Sequence, residues 1–364
     1  AVDNLYGKMY NAIANVNNIL DHIHADNGVL LTPGMYEIIR GECLALRAFL
    51  HFDLMRLFGP VPADLEAGGA RLPYVRVVSK EIKLPVSYDE YKDFLLKDLR
   101  DAAALLKEYD PIVVEGSVTD EFLVRRTCRM NYYAVKALQA RAFLWYGEKE
   151  NAYAAAMEVI EAKNSDGSKK FDIEAIKTAF PGQDFIIYPE QIFGLYDHQL
   201  DDKYSSFFQT GILYKGTSSQ EIMKNLYGNT GKDFREQYLW ELQRLVDGDR
   251  YTIKKYNVTL GVKQIPLIRL SELYFIAIES GSAEQAQKLW DEYRDSRVLD
   301  RKDLPTDPKQ LQQEILTEFR KEFYAEGQLF YLYKRYNSPR EDILFANSRL
   351  VVNYILPLPK TELK

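Results

Sequence analysis

The chain has 364 residues, of which 46% are hydrophobic and 27% charged, a globular composition that excludes a disordered chain. Lysine and arginine total 47 against 53 acids, a net charge of −6, so the protein as a whole has no electrostatic drive towards nucleic acid or anionic lipid, although a local basic patch is compatible with it. Aromatic residues reach 13% and include 26 tyrosines, rings that serve either helix packing or stacking on a ligand.

The length allows two domains of about 150 residues or one large core. No run approaches the ~18 apolar residues of a bilayer-spanning helix. Cys43 and Cys128 do not make a disulfide framework and read as small buried hydrophobes. Helical periodicity dominates. Leu5, Met9, Ile13, Val16, Ile19 and Ile23 recur at spacings of three and four and predict a helix over 3–24. A second is predicted over 35–58, stopped by Gly59-Pro60-Val61-Pro62. Residues 63–86 read as loop, and Ser87 as the cap of a helix over 88–108 with Asp89 and Glu90 in its first turn. Residues 127–147 and 150–163 read as a helix pair joined at Gly147, the look of a tetratricopeptide unit.

The segment 171–262 is glycine-rich and aromatic, with patchy helical signal at 219–227 and 233–246. Helices return at 266–280, 283–297 and 308–335, and 338–364 is irregular. Trp145, Trp240 and Trp290 all fall in helical patterns and read as core.

Catalytic signatures are few. The sequence has no Gly-x-Gly-x-x-Gly, Walker loop, His-Glu-x-x-His or Gly-x-Ser-x-Gly. His22 and His24, two apart on a helix, point about 200° away from each other and cannot easily share a metal. His51 reads as a core-edge residue, and Asp201-Asp202 and Asp247/Asp249 as turn or loop acids.

The helix from Arg40 to Pro62 carries the most specific pattern: Gly41-Glu42, then Arg47-Ala48-Phe49, Phe52-Asp53-Leu54 and a Phe58-Gly59-Pro60-Val61-Pro62 stop. Its charges read as a packing face, with Asp53 and Arg56 able to pair at i, i+3. This run resembles the SusD/RagB family of nutrient-binding outer-membrane lipoproteins of Bacteroidetes. The likeness continues through Tyr88–Leu106, 137–160, Glu190-Gln191-Ile192-Phe193, Asp249-Arg250, Lys255-Tyr256, 266–279, Glu318–Gly327 and Leu356-Pro357-Leu358-Pro359, nearly the whole chain in order. Phe319, Leu329 and Tyr331-Leu332-Tyr333 depart from the family pattern at scaffold positions, which implies altered packing.

The resemblance implies a mainly α fold: an α-α superhelix of tetratricopeptide-like helix pairs at 1–170 and 263–337, one unit with an irregular ligand-binding region at 171–262 and an irregular tail at 338–364. It also implies a non-enzymatic protein without cofactor. Such a protein captures an oligosaccharide or similar nutrient at the cell surface and delivers it to a SusC-like, TonB-dependent transporter barrel. Its attachment to the outer membrane would be a lipid anchor outside this chain, whose start inside the first shared helix reads as a shortened N-terminus or as a short member of the family. Two other readings are a tetratricopeptide protein-interaction module and a hydrolase using Asp247 and Asp249.

No site residue transfers by motif. A sugar offers a C–H face to an aromatic ring and a hydroxyl rim to polar groups. On that logic the candidates are Tyr196 and Tyr204 first, with Asp197, His198, Phe207 and Tyr214 in the insert and Arg71 and Tyr74 in the 63–86 loop.

Overall fold

The computed structural model describes residues 2–25, 28–65, 69, 71–115, 120–211, 213, 221–228, 230–246, 248–258 and 262–363. In chain order the principal helices are α1 (Val2–His22), α2 (Met35–Phe58), α3 (Tyr88–Tyr109), α4 (Tyr132–Trp145), α5 (Lys149–Ile160), α6 (Leu270–Ser280), α7 (Ala283–Ser296), α8 (Pro308–Glu322) and α9 (Leu329–Tyr336). The strands are β1 (Gln191–Tyr196), β2 (Trp240–Leu245), β3 (Gly248–Ile253) and β4 (Gln264–Arg269). The chain forms two compact units, Ala1–Glu148 with Phe330–Lys364, and Lys149–Leu329.

In the first unit α2 packs against both α1 and α3 and is buried along most of its length. Gly34 precedes it at φ 78, and a Cβ there would fall 2.6 Å from the Tyr109 ring, so glycine is required on both counts. Ser87 and Glu90 close a capping box on α3, with N–H···O distances of 3.2 and 3.0 Å, satisfying two orphan donors of the first turn. Gly147, at φ 79, ends α4: its N–H reaches the Leu144 carbonyl at 3.2 Å and the Glu148 N–H reaches Phe143 at 2.8 Å, a left-handed glycine stop. The Phe58-Gly59 end of α2 is capped from α9, where the fully buried Lys334 donates to the Gly59 carbonyl at 2.8 Å. Arg56 pairs with Asp53 as the spacing predicted and lies 3.7 Å over the Tyr331 ring. Tyr331 thus has a packing partner in its departure from the family pattern.

In the second unit α6 packs on α5, α7 and α8. Two antiparallel pairs, β1 with β4 and β2 with β3, stand in the irregular region. Three sequence expectations change. Residues 266–269 belong to β4 rather than to the following helix, and β4 pairs with β1 through Pro266↔Gly194 and Ile268↔Phe193. The helix expected over 233–246 stops at Tyr238, and Trp240 begins β2. Trp240 is still core: it is buried, and its Nε1–H donates to the Tyr227 hydroxyl at 3.0 Å. The helix expected over 308–335 is broken between Glu322 and Leu329, where Ala325 and Gly327 take positive φ. Helical pattern was present in each case, but β pairing and buried charge outrank local propensity.

Candidate functional site

The loop after α2 is tied down by buried polar groups. Arg47 on α2 grips Asp98 on α3 in a fork, both N–H···O distances 2.7 Å, and also donates to Asn17 on α1 at 3.0 Å and to the Arg76 carbonyl at 3.1 Å. His51 donates from Nδ1 to the Arg47 carbonyl and accepts the Val75 N–H at Nε2, each 2.9 Å. That pattern needs the neutral ring, and burial lowers the His51 pKa to about 3. Tyr74 stacks on His51 at 3.9 Å and gives its hydroxyl proton to Asp98 at 2.7 Å.

The loop so fixed lines a cavity of about 190 Å³ with Met55, Pro60, Arg71, Leu72, Val86 and Tyr88 among its walls. Most of its lining residues are apolar in type, with Arg71 the one charged group among those described. Tyr88 is braced by Tyr146, whose ring lies 5.3 Å away, edge to face. Arg71 is exposed and forms no ion pair with the described residues. A pocket smaller than the ~300–1,000 Å³ typical for drug-sized ligands, with one ring, aliphatic walls and one available guanidinium, suits a single small polar-rimmed ring.

In the second unit the end of β1 is a distinct surface. Leu195 and Tyr196 are half exposed, as is Phe207 on the Ser205–Gln209 π-turn. Asp197 pairs with Lys203, and Asp201 with Lys263 at 2.5 Å. His198 is exposed and its carbonyl accepts from Lys263 at 3.2 Å. Beneath this surface Tyr204, Phe208 and Tyr256 form an aromatic cluster with Ile186, Leu200 and Val258.

The expected site residues therefore separate. Tyr196, Phe207, Asp197 and His198 lie on the β1 surface, and Arg71 lines the cavity of the other unit. Tyr204 is a correction: it is only 4% exposed and stacks on Phe208 in the cluster, so its ring faces cannot meet a sugar. Tyr74 is another, at 7% exposure with its hydroxyl committed to Asp98. Tyr214 and Asp247 lie outside the described residues. Tyr88, which lines the cavity, was read only as the start of a helix. Its position just past the Ser87 cap, at the close of the loop holding Arg71, was the available signal.

Several family-pattern residues scattered along the sequence, Glu190, Lys255, Arg269, Glu318, Glu322 and Glu326, meet in one buried ion network with Arg235 and Arg297, which the pattern did not include. Glu322 accepts from Arg235 at 3.1 Å, Arg269 at 2.9 Å, Arg297 at 2.8 Å and the Tyr293 hydroxyl at 3.1 Å. Glu190 takes Arg269 at 3.1 Å, Arg297 at 2.8 Å and Ser271 at 2.7 Å. Arg235 also holds Asp233 and Glu318, at 2.7 and 2.8 Å. Lys255 meets Glu326 at 2.5 Å. Burial pushes the Glu322 pKa up, but Arg297, Arg269 and Arg235 outweigh it and hold the group well below the usual carboxylate range. At Glu190 burial wins over Arg297 and Arg269, and the pKa is raised. These carboxylates are fully buried with their oxygens engaged, so they organise the unit rather than face a substrate. Phe319, another departure from the family pattern, packs 4.2 Å from Phe323 beside the network. Among the described residues no group of His, Cys, Asp and Glu could hold a metal, and no helix is long and apolar enough to cross a membrane.

Comparison with known proteins places this architecture. Residues 1–115 match a family model described as starch-binding associating with outer membrane, and residues 132–362 match the model of the SusD family. No curated protein matches the sequence. Among solved structures, a SusD superfamily protein of Bacteroides thetaiotaomicron is similar with TM-score 0.71 at 22% identity, over 91% of this chain and 74% of its own. A SusD-like carbohydrate binding protein of Bacteroides vulgatus gives 0.68 at 20% identity, over 91% and 69%. A laminarin binding SusD-like protein gives 0.67 at 18% identity, over 100% and 84%. At these identities the structural likeness shows the fold.

Proposed function

The chain belongs to the SusD family, and from that premise we propose that it is a non-catalytic glycan-binding protein of the outer surface. In this reading it captures an oligosaccharide and passes it to a TonB-dependent, SusC-like barrel. A lipid anchor holds it at the outer membrane. The observation that carries the binding site is the cavity beside Arg71. Tyr88 and Val86 offer surfaces for the C–H face of a sugar, and the Arg71 guanidinium offers donors for its hydroxyl rim. Tyr196 and Phe207 are candidates for stacking a second sugar ring. Binding of this shallow kind falls at micromolar to millimolar Kd, about −4 to −8 kcal/mol, which suits a carrier that must release its cargo.

Affinity electrophoresis and titration calorimetry with starch and laminarin oligosaccharides test this. Arg71→Ala is expected to weaken binding about tenfold, the loss of one or two charge-assisted hydrogen bonds, with an unchanged melting temperature. Unchanged affinity in the folded variant removes the cavity as the site. New reducing ends during the incubation would replace the binding reading with a hydrolytic one.

A further inference from the structure

A second cavity, of about 200 Å³, lies within the Lys149–Leu329 unit, and charged residues make up much of its lining. Its lysines and carboxylates largely neutralise one another. Lys232 pairs with Asp300 at 3.0 Å, Lys302 with Glu314 at 2.6 Å, and Lys321 with Glu318 at 2.6 Å. Asp233 and Glu318 are held from behind by Arg235. The lining cation left over is Arg294 on the last turn of α7. Its side chain is nine-tenths buried. Nε donates to the Asp300 carbonyl at 2.7 Å, and the guanidinium lies 5.4 Å from the centre of the Trp290 ring. No carboxylate among the described residues lies within ion-pair distance of it, and its two Nη groups have no protein acceptor there.

Local backbone geometry holds this arrangement. α7 ends with Val298 N–H on the Asp295 carbonyl at 3.2 Å and Leu299 N–H on the Arg294 carbonyl at 3.0 Å. That is the double-bonded stop normally built on glycine, yet Val298 occupies the left-handed position at φ 60. The stop folds Leu299 and Asp300 back over Arg294. The buried guanidinium is therefore fixed at Nε and presents its outer edge to the cavity.

The Nη edge of this guanidinium, without an acceptor among the described residues, matches a carboxylate, which accepts two parallel N–H bonds. Thr230 and Thr317 line the same cavity with hydroxyls, and Leu299 and Tyr227 with apolar surface. We infer that this cavity is a binding site for a carboxylate-bearing sugar, a hexuronate, with its carboxylate on Arg294 and its hydroxyls on the threonine side. The site stands independently of the Arg71 cavity and of the binding assigned to it.

Saturation-transfer NMR on the whole chain, with methyl glucuronide and methyl glucoside as probes, tests this. Methyl glucuronide is expected to bind at millimolar Kd, and more weakly as salt is raised. Arg294→Gln should weaken it at least about tenfold, and Arg294→Lys, which keeps charge but not the fork, should recover only part. Since Arg294 also holds the Asp300 carbonyl, a second variant guards against misfolding. Thr317→Glu, at an exposed helix position, should repel the glucuronide by a similar factor while the melting temperature holds. Arg71→Ala should leave the glucuronide signal unchanged. The inference fails if folded Arg294→Gln or Thr317→Glu binds glucuronide like the parent. It also fails if the glucoside signal is lost with Arg294 to the same extent, or if inorganic sulfate binds at this site while glucuronide does not.

Discussion

The two units use buried charge in different ways. In the Ala1–Glu148 and Phe330–Lys364 unit, buried charge sits in small separate sets: Arg126 forks onto Asp110 and reaches Glu42 in one, and in another Arg47 forks onto Asp98 among the neutral groups Asn17, His51 and Tyr74. The work of the Arg47 set is to strap one loop across three helices, leaving the neighbouring cavity with a free-standing Arg71. In the Lys149–Leu329 unit, three arginines converge on one carboxylate, and Asp233, Glu190, Glu318 and Glu326 complete the set. There the charges join helices, strands and turns that lie far apart in the sequence. A small set around one forked pair positions a loop, whereas a network of several arginines and carboxylates joins many elements at once. The two should therefore respond differently to loss of one member.

The largest expected effect is at the centre of the network. Glu322→Ala leaves Arg235, Arg269 and Arg297 short of a shared partner in a dry interior, a loss of about 3–5 kcal/mol. Chemical denaturation of the full chain measures it. A loss below about 1 kcal/mol would mean that the remaining carboxylates re-pair with the arginines and that the network is redundant.

Next is the contrast between two tyrosines of the insert. Tyr204→Ala empties a buried ring site and should cost about 3 kcal/mol. Tyr196→Ala, on the exposed end of β1, should stay within about 0.5 kcal/mol. Equal melting temperatures for the two variants would contradict the assignment of Tyr204 to the aromatic cluster.

The smallest effect concerns pH and the first unit. His51 has a pKa of about 3 when folded against about 6.5 when unfolded. The unfolded chain therefore takes up a proton that the folded one refuses, and stability from this group is lost as pH falls from about 6.5 towards 3. Several carboxylates also titrate near the acid end. Glu318, for example, is brought to about 2 by Arg235 and Lys321 against the opposing effect of burial, so it matters only below about pH 4.5. The His51 contribution is isolated by comparing parent and His51→Gln denaturation midpoints between pH 6.5 and 4.5. Parallel curves would show that His51 accepts the proton without strain.

Much of the scaffold was legible because helices announce themselves locally. Apolar spacing placed α1, α2, α3 and α7 to within a residue or two, and Ser87 with Glu90 marked a cap that forms. Strand β4 was missed because Pro266–Arg269 continues an apolar run into α6, and only pairing with β1 makes it extended. Aromatic content pointed to stacking surfaces but could not divide Tyr196 from Tyr204, eight residues apart with opposite exposure. Arg294 carried no sequence signal, because nothing in a helical Arg tells whether a carboxylate waits opposite.

Residue pattern alone was enough to establish a helical scaffold, an aromatic insert and membership of a family whose motifs run in order along the chain. Those features depend on period, caps and breakers, which act over a few residues. The folded chain decided which charges meet, which rings are covered and which arginines remain available. Glu190, Arg269, Arg297 and Glu322 are brought together over separations of up to 132 residues between Glu190 and Glu322. Long-range desolvation and pairing set the roles of such groups, and neither is written in any local window of the sequence.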